Sequence, residues 1–267
     1  MNIQLIDYTK RGAELLILSK NTRHLSHPNR FNDILKMTGE EKESELNYVF
    51  GTIGSSFEFV NYVFLIQDVT RAFTHQLVRH RAGTSFAQQS LRVADATGFS
   101  YFIPDEIEED QYQLAIYNST MNNIQEGYKL LLQKGANIQD ARGVLPTNIC
   151  TNILLGINLR ALSTLMETRL CVRAQGEFQE AALFMKSLVE NVHPWARDIL
   201  LPCCSLKLYC PWKNFHECPI KKANSHLTPD ASTCGKIYND WESVMEHRYS
   251  PQPKQHKGDS DGKTSKP

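Results

Sequence analysis

The chain has 267 residues, with 29 Lys and Arg against 29 Asp and Glu, so its formal net charge is zero. Hydrophobic residues make up 41% and charged residues 22%, the proportions of a globular protein with a real core. Neutrality removes any global field toward nucleic acid or an acidic membrane, and no apolar run approaches the roughly 18 residues of a membrane span.

Residues 2–6 read as a short strand and 11–20 as a helix carrying Leu15, Leu16 and Leu18. Asp7, Lys10, Arg11 and Glu14 interrupt this opening, which argues against a secretory signal and for a cytoplasmic protein. Residues 21–39, with His, Pro, Asn and Gly, read as a loop. Residues 40–50 read as a helix with an acidic first turn, which suits the helix dipole. GTIGSS (51–56) breaks it, and the aromatic and β-branched run 57–66 predicts a buried strand. A helical pattern follows over 69–81. Residues 95–102 read as loop or strand, and 105–110 (DEIEED) as an acidic surface segment.

A long amphipathic helix is expected over 111–134, then a shorter one ending near Val144. Residues 147–157 favour a strand, and 159–170 and 175–192 read as helices. After Pro194 the pattern fades, and 251–267 hold no apolar residue, which predicts a disordered tail. Strands and helices mix without βαβ alternation. The expected class is α+β, mostly helical, with a small mixed or antiparallel sheet. Neither a GxGxxG nor a P-loop pattern is present.

The informative stretch is 69–94, VTRAFTHQLVRHRAGTSFAQQSLRVA. It holds Arg71, Arg79, Arg81 and Arg92, with His75 and His80, and no Asp or Glu. At helical spacing, Arg71, His75 and Arg79 share one face, with the helix expected to end near Arg81 to Gly83. Thr84, Ser85, Gln88, Gln89 and Ser90 then supply neutral hydrogen-bonding groups. Guanidinium groups grip phosphate, while amides and hydroxyls read the polar edge of a ring. The composition suits an anionic, ring-bearing ligand such as a nucleotide.

These residues carry a family resemblance. Arg79-His80-Arg81, eight residues, then Ser90 and Arg92 is similar to the signature of the flavin-dependent thymidylate synthases. His75-Gln76-Leu77-Val78 resembles that family's lead-in. Ser55-Ser56-Phe57-Glu58 upstream resembles the family's Ser/Thr-x-x-Glu segment. Downstream, similar blocks occur at 141–146 (ARGVLP), at 158–162 (NLRAL), and at Arg169 with Gln175-Gly176-Glu177. The resemblance implies an α+β homotetramer with active sites shared between subunits. Such an enzyme binds FAD, takes reducing equivalents from NADPH, and moves a methylene group from methylenetetrahydrofolate to C5 of dUMP, without a cysteine nucleophile.

Carried over by position, it implies dUMP binding by Gln76, Arg79, Gln88, Ser90, Leu91, Arg92, Arg142 and Arg169. Leu91 would act through its backbone N–H, and Arg169 as the catalytic residue that stabilises the deprotonated uracil. It implies FAD binding by Ser55, Ser56, Glu58, Arg79, His80, Arg81, Gln88, Asn158 and Arg160. Arg169 lies on an apolar helix, so it needs a partner, with Glu167, Glu177 or a ligand as candidates. The expected organisation is a catalytic flavin- and nucleotide-binding domain over 1–200, a Cys-rich extension over 201–250 and the tail over 251–267.

Some positions depart from the family pattern. Ile53 or Gly54 stands where a His is frequent, as does Phe59. Gln88 replaces an acid, Val93 a Tyr, Thr164 an Asn, Arg173 a His and Gly176 a Trp. These changes leave open a member that binds flavin and nucleotide with an altered pyrimidine substrate or without turnover. A nucleic-acid-binding protein using 71–92 is the alternative from another class, and it predicts steeply salt-dependent binding without flavin. Cys203, Cys204, Cys210, His216, Cys218 and Cys234 crowd the last quarter, but their spacings are poor zinc knuckles, so free thiols are expected and no metal.

Overall fold

A computed structural model describes residues 1–24, 30–52, 54–206, 210 and 218. The expected position Ile53, His216, Cys234 and most of the extension and tail lie outside these residues.

Strands β1 (Asn2–Tyr8), β2 (Asn61–Thr70), β3 (Thr84–Gln88) and β4 (Cys150–Asn158) form one sheet in the order β1-β2-β4-β3. Every pairing is antiparallel. Side chains alternate across the two central strands. Tyr62, Phe64 and Ile66 of β2 and Ile153, Leu155 and Ile157 of β4 are buried on one face. That face is covered by α1 (Gly12–His24), α3 (Gly39–Phe50), α8 (Leu159–Arg169) and α9 (Gly176–Val192), which contribute Leu16, Val49, Leu162, Met166, Phe178 and Met185 to the main core. A short α2 (Phe31–Leu35) connects α1 to α3.

Helix α3 starts as its acidic first turn foretold, with Thr38 and Glu41 forming a capping box. The expected loop over 21–39 is shorter, because α1 runs on to His24 and α2 follows. The strand expected at 57–66 is displaced: residues Gly54–Phe59 form a 3₁₀ turn and β2 runs to Thr70. It does so across a bulge between Ile66 and Val69, where Asp68 adopts φ +56°.

The helix expected to reach residues 81–83 is the short α4 (Arg71–Leu77). Arg79 lies beyond its end, so it does not share a helical face with Arg71 and His75. The neutral run after it contains the unexpected strand β3, paired on β4. Between β3 and β4 come α5 (Asp105–Glu108), α6 (Gln111–Gln133) and α7 (Ile138–Ala141). Helix α6 is the long amphipathic helix, and its Tyr128 centres a second core with Ala96, Phe99, Ala141 and Ile149. Ala96 N–H donates to Tyr128 Oη at 3.3 Å, and the Gln125 amide donates to the Phe99 carbonyl at 2.7 Å. These bonds hold the segment after β3 in place.

The chain closes with a 3₁₀ turn at Pro194–Asp198 and α10 (Cys203–Leu206). Cys204 and Cys218 are buried in the main core, and no group of three metal-binding side chains forms among the described residues. No described helix is long and apolar enough to cross a membrane.

One buried polar contact fixes α4. Glu177, at the start of α9, accepts the Thr70 backbone N–H and the Thr70 hydroxyl, both at 2.6 Å. The Thr70 oxygen in turn accepts Phe73 N–H at 2.9 Å and caps α4. Thr70→Val removes that cap and one donor to a buried carboxylate, so it costs about 2–3 kcal/mol. A urea titration beside wild type measures it. Burial lifts the Glu177 carboxyl above its ordinary value, although the Thr70 donors oppose the shift. The folded state therefore holds this proton more tightly than the unfolded chain. The group's contribution is largest below the ordinary Glu range and declines as pH rises through the raised value. Glu177→Gln is expected to flatten that decline, and an unchanged slope between pH 4 and pH 7 would contradict it.

Candidate active site

The chain leaves α4 through two tight backbone bonds, Arg79 N–H to Gln76 at 3.2 Å and His80 N–H to Leu77 at 3.0 Å. The Thr84 hydroxyl then closes on the His80 carbonyl at 2.5 Å, and His80 Nε2 lies 3.1 Å from the Ala161 carbonyl oxygen. Gly83 sits at φ +70°. A Cβ there would stand 2.5 Å from the Asn158 amide, so only glycine leaves room. Asn158 itself caps α8, its Oδ1 accepting Ala161 N–H at 2.9 Å, while its own N–H donates to the Gly83 carbonyl at 2.9 Å.

These contacts build a cleft of about 610 Å³ between the 79–83 segment and the start of α8. Glu58, Arg79, His80, Arg81, Asn158 and Arg160 line it, together with Ala82, Gly83, Ala161 and Thr164. Three guanidinium groups face one carboxylate, Glu58, which pairs with Arg160 at 2.5 Å. The eleven-residue α8 also directs its N-terminus here, adding positive potential. The arrangement suits a large, anionic, partly planar ligand. Ser55 and Ser56 stand outside this lining. Ser56 is fully buried against Ser19 and Arg23, and Arg23 also donates to Ser55 at 3.3 Å.

The residues expected to bind nucleotide fall into two further groups. In the first, Arg169 Nη1 donates to Gln76 Oε1 at 3.1 Å, the Gln76 amide donates to Gln175, and the Arg169 guanidinium lies 4.3 Å from the centre of the Phe178 ring. Of the partners considered for Arg169, neither carboxylate, Glu167 nor Glu177, pairs with it. Glu177 is turned to Thr70, and no acid pairs with Arg169 among the described residues. Burial pushes the Arg169 guanidinium below its ordinary value. A cation held by an amide and a ring keeps its charge for an incoming ligand.

The second group is the end of β3 and the turn after it. Gln88 Nε2 donates to Thr74 Oγ1 at 2.9 Å, and Ser90 Oγ accepts Arg92 N–H at 3.3 Å. Arg92 is exposed, and Leu91 packs on the second core. Arg142, in the 3₁₀ turn after α7, donates through Nε to the Gln139 carbonyl at 3.1 Å and lies near Arg71. Arg71, Gln175 and Gly83 hold this architecture although the motifs did not assign them. Gly83 was findable, since a glycine at the expected end of a helix signals a positive φ. Of the departures, Thr164 faces the cleft and Val93 is exposed.

Gly83→Ala is expected to displace the Asn158 cap and strain the backbone, costing about 2–3 kcal/mol. A thermal melt measures this, and wild-type stability in that variant would show that the close approach is not real.

The family model described as thymidylate synthase complementing protein matches residues 4–195. A flavin-dependent thymidylate synthase of Nitratidesulfovibrio vulgaris is 38% identical over 166 residues, covering 59% of this chain and 67% of that protein. One from Clostridium tetani is 30% identical over 212 residues, covering 73% and 84%. One from Sulfurisphaera tokodaii is 33% identical over 209 residues, covering 76% and 79%. Among solved structures, the UMP/dUMP methylase PolB of Streptomyces cacaoi bound with 5-Br dUMP is similar in fold. Its TM-score is 0.65 at 20% identity, over 74% of this chain and 93% of that one. By the matched residues and the identities to these relatives, the chain belongs to the flavin-dependent thymidylate synthase family.

Proposed function

We propose that this protein methylates dUMP to dTMP with methylenetetrahydrofolate as carbon donor, FAD as bound cofactor and NADPH as reductant. The observation that carries the reading is the cleft at 79–83, which gathers Glu58, Arg79, His80, Arg81, Asn158 and Arg160 around one volume. Its cations and the α8 N-terminus suit the diphosphate of FAD, and Gly83 leaves the room that the Asn158 side chain needs to cap that helix. Ser55, Ser56 and Gln88 belong to the same assignment, although they lie outside the cleft's lining. When bound, FAD relays the two electrons that NADPH supplies.

The chain's own residues bind and polarise the pyrimidine. Arg169 hydrogen-bonds the uracil edge and stabilises the ring with N3 deprotonated, which raises electron density at C5. Gln76, already bonded to Arg169, orients that guanidinium. Gln88, Ser90, Leu91 through its N–H, Arg92 and Arg142 take the sugar and phosphate, with Arg79 between the two ligands. The methylene carbon would bond to C5 as its bonds to the folate nitrogens break and the C5 proton leaves, and the two electrons drawn from NADPH would reduce it to the methyl group, with tetrahydrofolate released.

No cysteine is needed. Burial raises the thiols of Cys150 and Cys171 above their ordinary value, which disfavours the nucleophilic thiolate. Tyr112, Ile116 and Leu154 stand exposed, as surface for the homotetramer in which sites are shared. The proposed location is cytoplasmic, with residues 1–200 as the catalytic domain and 201–250 and 251–267 as its extension and tail.

The test is spectroscopic. The purified protein is expected to carry flavin absorbance that shifts on adding dUMP. Arg169→Ala should keep the flavin and lower turnover by about a hundredfold or more. Cys150→Ser should keep turnover within about twofold. A colourless protein that takes up no FAD, or full turnover in Arg169→Ala, would contradict the assignment.

A further inference from the structure

Gln175 immediately precedes α9. Its carbonyl accepts Phe178 N–H and Gln179 N–H, both at 2.9 Å, so its backbone is fixed. The same turn reaches the end of α8 twice. The Phe178 ring lies 4.3 Å from the Arg169 guanidinium, and Gln179 Nε2 donates to the carbonyl of Leu170, the next residue, at 3.2 Å. The Gln175 side chain points the other way, to α4. Its Oε1 accepts the Gln76 amide, and Gln76 Oε1 in turn accepts Arg169 Nη1 at 3.1 Å.

Hydrogen-bond chemistry fixes the polarity of this chain of contacts. A guanidinium only donates, so the Gln76 atom that faces Arg169 must be its oxygen. The Gln76 nitrogen therefore faces Gln175, and the Gln175 atom that receives it must be an oxygen as well. Locked this way, the Gln76 amide has its oxygen turned onto a cation and one N–H left over. The remaining N–H groups of Arg169 lie beside it, and no carboxylate pairs with Arg169 among the described residues. Together they offer a ligand donors and no free acceptor. Uracil deprotonated at N3 presents O2, N3 and O4, which all accept. Cytosine carries an amine at C4, a donor, and two facing donors leave both unpaired. Without the lock, the Gln76 amide can turn and offer its oxygen to that amine.

We propose that Gln175 is a positioning residue that sets pyrimidine specificity: by accepting from Gln76 it holds that amide in the orientation that favours a 4-oxo pyrimidine over a 4-amino one. The inference rests on the dUMP reading above and deepens it. Gln175 is itself exposed, whereas Gln76 and Arg169 are half-buried, so a change at 175 alters the amide's partner without opening the core.

The experiment compares dUMP and dCMP on the flavin-loaded protein, with binding followed by the flavin spectrum. Wild type is expected to bind dUMP more tightly than dCMP. Gln175→Met keeps the length of the side chain and removes the acceptor. It should narrow the dUMP-to-dCMP preference by about fivefold or more while flavin is retained. Gln175→Ala repeats the loss with a smaller residue, so a folding defect in one variant does not leave the question open. A double-mutant cycle then separates positioning from bulk structure. In a Gln76→Met background there is no amide to orient, and adding Gln175→Met should change the preference no further.

The proposal falls, while the dUMP reading stands, if wild type binds dUMP and dCMP equally, if the Gln175 variants weaken both nucleotides by the same factor or neither, or if the effects at 76 and 175 simply add. If wild type binds FAD but no dUMP, the reading of the site fails, and this proposal with it.

Discussion

The buried carboxylate of Glu177 holds the two halves of the site in register. It joins the start of α9 to the junction of β2 and α4 through two short hydrogen bonds to Thr70. The Phe73 and Phe178 rings pack beside this clasp at 4.7 Å. Everything α4 presents is placed by it: Arg71 toward Gln89, Thr74 toward Gln88, and Gln76 toward Arg169. The clasp is not a large source of stability, because burying the carboxylate disfavours its charge. Its value is directional. One acceptor with two donors from a single residue leaves α4 little freedom to rotate or slide.

Electrostatics explain why the site is basic in a neutral protein. The acids are elsewhere. Glu14 and Glu45 pair with Lys42 and Lys20 near α1 and α3, and the exposed Asp105 to Glu109 segment faces solvent. Among the described residues that line the cleft, only Glu58 is an acid beside the guanidinium groups of Arg79, Arg81 and Arg160, while Arg169 leans on an amide and a ring. Cations left without carboxylates in a partly buried setting keep their attraction for anions. The fold supplies what composition alone does not: it divides these cations into a cleft at 79–83, a cluster at Arg169, and a turn at 88–92 backed by Arg71 and Arg142.

Much of this was legible in the sequence, and the rest was hidden for identifiable reasons. The helices at 39–50, 111–133, 159–169 and 176–192 follow periodicity and capping, which are local. Six of the residues that the family resemblance singled out, Glu58, Arg79, His80, Arg81, Asn158 and Arg160, line one cleft. Strand β3 was missed because its polar, small residues gain strand geometry only by pairing with β4. Helix α4 stops four residues early because His80 bonds across to Ala161 and Gly83 turns the chain. Strand β2 extends to Thr70 because a bulge at Asp68 restores its pairing with β4. The partner of Arg169 is Gln76 and not a nearby acid, since Glu177 answers to Thr70, 107 positions away. Long-range polar choices of that kind have no periodic signature.

The most direct test of the central claim is release of isotope from C5-tritiated dUMP. The purified chain is supplied with FAD, NADPH and methylenetetrahydrofolate, and each is omitted in turn. Release into water together with dTMP formation, dependent on all three, is the result expected here. A protein that binds FAD and dUMP yet releases no tritium in the complete mixture would contradict it, and would show that the altered residues around the flavin have changed the substrate or ended the chemistry.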